Sequence, residues 1–80
     1  MLTEYIQAAM RRARYEILED GTYYGESPDC RGVYACAPTL EECREQLREV
    51  LEDWIVLGLR LGHALPVIQN ISLNIEKEVA

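Results

Sequence analysis

The sequence contains no phenylalanine, a single tryptophan (Trp54) and a single histidine (His63). One histidine leaves Ser27 and Ser72 to share any general base, and there is neither an H-E-x-x-H pair nor a glycine-rich phosphate loop. Acidic neighbours such as Glu41–Glu42 and Glu52–Asp53 point in different directions on a helix and do not converge on a metal. The three cysteines, Cys30, Cys36 and Cys43, are odd in number and spaced x5 and x6. That pattern excludes a disulfide framework and lacks the close pairs and four ligands that zinc requires. Cys30, with Arg31 beside it in a loop, is expected to be the exposed thiol. No catalytic residue, metal ligand or cofactor site is expected, and no enzyme activity.

Positive charge is also scarce. Eight Lys and Arg stand against 14 Asp and Glu, a formal charge of −6. Such a balance repels phosphates and disfavours direct nucleic-acid binding, while it suits a basic protein partner. No stretch approaches the roughly 20 apolar residues that span a bilayer. The opening "MLTEYIQAAMRRARYEIL" places an acid before its bases and holds no unbroken apolar core, unlike an export signal. No membrane association is expected, and the chain is expected to be cytoplasmic.

What is present is organised as one domain over residues 1–80, without repeats or linkers. Thr3 reads as the cap of a first helix to about residue 13, with Ile6, Ala9, Met10 and Ala13 on one face. "RYEIL", "TYYGES" and "VYACA" alternate as three strands over residues 14–37, with Gly21 in the first turn and "PDCRG" as the second connection. Short turns between sequential strands predict an antiparallel meander. "TLEE" is a capping box, in which Thr39 caps a long helix over 39–61 and Glu42 reaches back to the cap amide. Leu40, Cys43, Leu47, Val50, Leu51, Trp54, Leu57 and Leu61 form its apolar stripe, Gly62 ends it, and Pro66 lies beyond. A period-2 pattern at Ile71, Leu73 and Ile75 predicts a last strand over about 70–76. The order is therefore α-β-β-β-α-β, an α+β class with the long helix packed on the sheet.

So short and apolar a chain gains stability by sharing its core with a second copy. In "DWIVLGLRLG" apolar residues go almost all the way round the helix, which calls for cover on every side. The expected oligomer interface is Trp54, Ile55, Val56 and Leu59, with Ile71 and Leu73 of the last strand, in a dimer or tetramer.

The run from Tyr15 to Leu61 resembles the HicB-like family of small antitoxins, over about three fifths of the chain. The matching residues are Gly21, Tyr23, Tyr24, Pro28, Gly32, Thr39, Leu40, Glu41 and Glu42. Cys43 replaces the family's usual Ala, and Arg31 a common Pro. The resemblance implies a partial ribonuclease H-like fold in dimers or tetramers. It does not imply nuclease activity, because the first strand offers only Glu16 and no converging carboxylates follow. It implies a small basic HicA-type ribonuclease toxin as partner, for which Tyr24, Glu26 and Tyr34 are the candidate contacts and an acidic chain is electrostatically suited. The alternative is a solitary structural or regulatory oligomer of the same fold. Gly21, Pro28, Gly32, Thr39 and Glu42 are expected to act structurally, and the DNA-binding module many relatives carry is not expected here.

Overall fold

A computed structural model of the chain describes residues 2–71. It contains α1 (Leu2–Arg11), β1 (Arg14–Ile17), β2 (Tyr23–Glu26), β3 (Tyr34–Ala37) and α2 (Leu40–Arg60). The strands form one antiparallel sheet in the order β1-β2-β3, and α2 packs across β3 and β2 with α1 beside it. The α+β class and the meander-plus-helix architecture are those expected from the sequence. The proposed last strand lies beyond Ile71 for most of its length, and Leu73 with it, outside the described residues.

Local chemistry explains each boundary. Between β1 and β2, Gly21 takes φ 86° and the Asp20 carboxylate accepts bonds from the Thr22 amide (3.0 Å) and hydroxyl (2.6 Å). These bonds favour the ionised form and hold the Asp20 carboxyl below its usual range. Gly32 at φ 89° closes the second connection, where Ser27 N–H donates to the Val33 carbonyl at 3.0 Å. The Thr39 hydroxyl accepts from the Glu42 amide at 3.2 Å, so the cap half of the box is formed. Glu42 contributes only its backbone to the hydrogen bonds seen there. At the other end Gly62 (φ 71°) donates to the Leu59 carbonyl, and His63 N–H to that of Gly58. These two bonds form a Schellman motif, which satisfies carbonyls the helix would leave orphaned.

The core lies between the inner sheet face and the helices: Tyr5, Ile6, Ala8 and Ala9 from α1, Ala35 and Ala37 from β3, and Cys43, Leu47, Leu51 and Ile55 from α2. Small residues on β3 let α2 approach closely, and the Cys43 thiol reaches the Ala35 carbonyl at 3.6 Å. Gly25 is buried for the same reason. A methyl group there would meet the Tyr15 ring at 2.8 Å and Cys43 Sγ at 3.1 Å. Leu65 and Ile68, beyond α2, fold back onto the core, held by the Tyr5 hydroxyl donating to the Pro66 carbonyl at 2.6 Å.

Four expectations need correction. Thr3 lies inside α1 rather than capping it. Cys30 is fully buried, because its loop turns inward beneath α1, and burial pushes its thiol pKa up. Cys36 is the exposed thiol instead. Finally, the buried line of α2 is Cys43, Leu47, Leu51, Ile55 and Gly58, whereas Val50, Leu57 and Leu61 face outward. Ile55 therefore belongs to the chain's own core and cannot be an intersubunit contact.

Candidate functional site: the outer face of the sheet

Alternation along the strands sends Tyr15, Gly25 and Ala35 to the helices and a second set outward. Register brings that outer set into two rows, Arg14–Glu26–Tyr34 and Glu16–Tyr24–Cys36. No element among the described residues covers it. The Tyr24 and Tyr34 rings stack across the diagonal, their centroids 6.3 Å apart and their planes 28° apart. Desolvation, followed by the nearby Glu26 and Cys36, pushes the Tyr24 phenol pKa up. Glu16 adds to the same effect, and Glu16 and Glu26 stand on this face against the single Arg14.

Beside the rings, Arg14, Tyr15, Glu16, Tyr24 and Glu26 surround a depression of about 230 Å³. The Tyr15 hydroxyl lies on the helix side of the sheet, near Cys43 and Arg44, and is enclosed without a hydrogen-bond partner among the described residues. Aromatic faces flanked by carboxylates suit the cationic and amphipathic side chains of a protein surface. The three candidate contact residues, Tyr24, Glu26 and Tyr34, thus share one face and touch or adjoin one another. Arg14, Glu16 and Cys36 complete it, and strand register was the signal that would have added them.

The remaining candidates are dispersed. Val56 and Leu59 are exposed on α2, 50% and 37% respectively, and Trp54 is half-buried. Ile71 is half-buried and pairs with Ile68 across a two-residue turn, Gln69 and Asn70 at φ 48° and 66°. Pro28 and Gly32 are exposed in their loop, away from the sheet face. Cys36 lies on the outer face and Cys43 on the inner one, so the cysteines do not gather. Among the described residues no group of three or more His, Cys, Asp or Glu is placed to hold a metal, and no helix is long and apolar enough to cross a membrane.

A second concavity escaped the sequence reading. α1 and α2 enclose a groove of about 470 Å³, with Ile6 and Met10 as apolar floor and Arg11, Arg44, Arg48, Glu41 and Glu45 among its walls. Though larger, it alternates in charge and has no aromatic surface. Single-sequence patterning gives no signal for it, because it exists only once the two helices pack.

Comparison with known proteins agrees with this architecture. The sequence profile of the UPF0150-like family matches residues 4–66. No functionally curated protein matches the chain. Among solved structures, that of TTHA0281 from Thermus thermophilus is similar, with a TM-score of 0.87 at 41% identity over 94% of each chain. On the extent of the profile match, the chain belongs to the UPF0150-like family.

Proposed function

We propose that this protein is an antitoxin-like, HicB-type binding module that neutralises a small basic ribonuclease of the HicA type. The observation that carries the reading is the uncovered outer sheet face, where stacked Tyr24 and Tyr34 lie among Glu16 and Glu26 on a chain of formal charge −6. Opposite charge accelerates encounter and orients a basic partner, while the aromatic pair supplies anchor area at low entropic cost. In this role the protein acts by covering the toxin surface and needs no chemistry of its own.

The test is coexpression with any small basic protein that a neighbouring gene encodes. Co-purification and relief of growth arrest are expected, and Tyr24→Ala with Glu26→Lys should abolish both while leaving the far-UV spectrum unchanged. A wild-type chain that neither binds nor neutralises that neighbour refutes the reading.

The second reading, a solitary structural or regulatory oligomer, is favoured by one other observation. Val50, Leu57 and Leu61 expose large apolar surface on α2, more than a monomeric binder requires. A gene neighbourhood with no small basic protein would favour it.

A further inference from the structure

On α2 the exposed apolar residues are not scattered. Val50, Trp54, Leu57 and Leu61 recur in steps of four, three and four, about a quarter turn around the helix from the buried line. Val50 is 37% exposed, Leu57 56% and Leu61 59%, and Trp54 is half-buried between the two lines. The buried line advances by fours, through Cys43, Leu47, Leu51 and Ile55, which is the drift of a helix lying on a sheet. The exposed line alternates steps of four and three, the spacing of the a and d positions of a helix that packs on another helix. In heptad terms Trp54 and Leu61 are a positions, and Val50 and Leu57 are d positions.

We propose that this line is the seam of a symmetric dimer, in which α2 of one chain packs antiparallel against α2 of a second copy. Antiparallel seams set a against d, and this sequence matches itself in that arrangement. Val50 meets Leu61 of the second copy, and Trp54 meets Leu57, about a two-fold axis between positions 55 and 56. Each pairing then occurs twice, as an isologous contact demands. The flanking g positions provide the independent argument, since Asp53 and Arg60 occupy them. In the antiparallel register Asp53 lies opposite Arg60 of the second copy at both ends. A parallel pairing brings no such opposite charges together. The e positions, Leu51 and Gly58, are buried in the chain's own core and leave that flank closed.

The proposal rests on the same exposed residues as the second reading above and adds to it a partner helix, an orientation and a register, and it replaces Ile55, Val56 and Leu59 as seam residues. Val56 and Leu59 project from the opposite flank of α2 and lie outside the seam.

The experiment is sedimentation of the full chain across a micromolar dilution series, with far-UV circular dichroism as the control for folding. The wild-type chain is expected to be dimeric. Leu57→Glu should weaken dimerisation by about thirtyfold or more, as expected for an anchor at the centre of an interface. Leu57 is more than half exposed in the single chain, so the variant should keep its helical signal. Asp53→Arg sets like charges together at both ends and should weaken dimerisation by about three- to tenfold. Adding Arg60→Asp in the same chain restores opposite charges and should recover the wild-type constant. A monomeric wild-type chain, a Leu57→Glu dimer as tight as wild type, or an Asp53→Arg, Arg60→Asp chain as weak as Asp53→Arg alone would each overturn the proposal.

Discussion

Replacing Gly25 with alanine tests the account of how α2 comes so close to the sheet. Two effects oppose each other. Alanine in a strand restricts the unfolded chain and by itself stabilises by about 0.4–1 kcal/mol. Against that, the added methyl would sit 2.8 Å from Tyr15 Cδ1 and Cε1, closer than real Cβ contacts come, and 3.1 Å from Cys43 Sγ. Neither neighbour yields easily. The Tyr15 ring is wedged between β2 and α2 with its hydroxyl enclosed, and Cys43 is wholly buried on the central stripe. Overpacking of this kind costs about 1–3 kcal/mol, so the net expectation is a loss of about 1–2 kcal/mol. In a domain of this size that lowers the thermal midpoint by about 4–16 °C. The measurement is thermal and urea unfolding followed at 222 nm, with Tyr15→Leu as a second background. Leucine removes the ring edge, so Gly25→Ala should cost less there than in the parent. A midpoint unchanged or raised by Gly25→Ala in the parent would refute the close-approach argument.

Other expectations follow from the same packing. Ile55→Ala should destabilise by about 2–5 kcal/mol in urea titration, whereas Leu57→Ala, two residues on, should change monomer stability by under about 0.5 kcal/mol. Thr39→Ala removes the acceptor for the Glu42 amide and should cost about 1 kcal/mol, while Thr39→Ser should retain most of it. Burial, with lesser contributions from Cys30 and Asp29, pushes the Tyr5 phenol pKa up to about 12. The folded state thus holds a proton that the unfolded chain loses near pH 10, and this stability is complete below pH 10 and lost as pH rises towards 12. Cys30, Cys43 and Tyr15 are raised in the same sense, so the urea midpoint should start to fall near pH 9. Tyr5→Phe should reduce, without abolishing, the fall between pH 10 and 12, at a cost of about 1 kcal/mol at neutral pH for the lost bond to Pro66.

How much of this was legible in the sequence depended on whether the signal was local. Gly21, Gly32 and Gly62 needed positive φ, Thr39 offered its hydroxyl, and alternation separated Tyr24 and Tyr34 from Ala35 and Ala37. Each of those is decided within a few residues, and the structure agrees. Packing across the chain decided the rest. On α2 the sequence offers two apolar lines that share Cys43 and Leu47. Only contact with β3 and with the returning Leu65 and Ile68 selects Ile55 and Gly58 over Leu57 and Leu61. Cys30 was misplaced for the same reason: polar neighbours suggested exposure, but Tyr5, far away in sequence, closes over the loop. The outer sheet face was partly readable, since Tyr24, Glu26 and Tyr34 were identified singly. Their arrangement with Arg14, Glu16 and Cys36 required the strand register.

The placement of the cysteines has a practical consequence. Cys36 projects from the outer sheet face, whereas Cys30 and Cys43 are sealed in the interior with their thiols held protonated. An alkylating reagent should therefore attach once to the folded chain at a fast rate. It should attach twice more only as fast as the molecule opens. The first rate reports whether anything occupies the sheet face, and the slower two report the opening of the core. One mass-spectrometric time course on the unmodified protein thus separates occlusion by a partner from loss of the fold, with native sulfur as both probes.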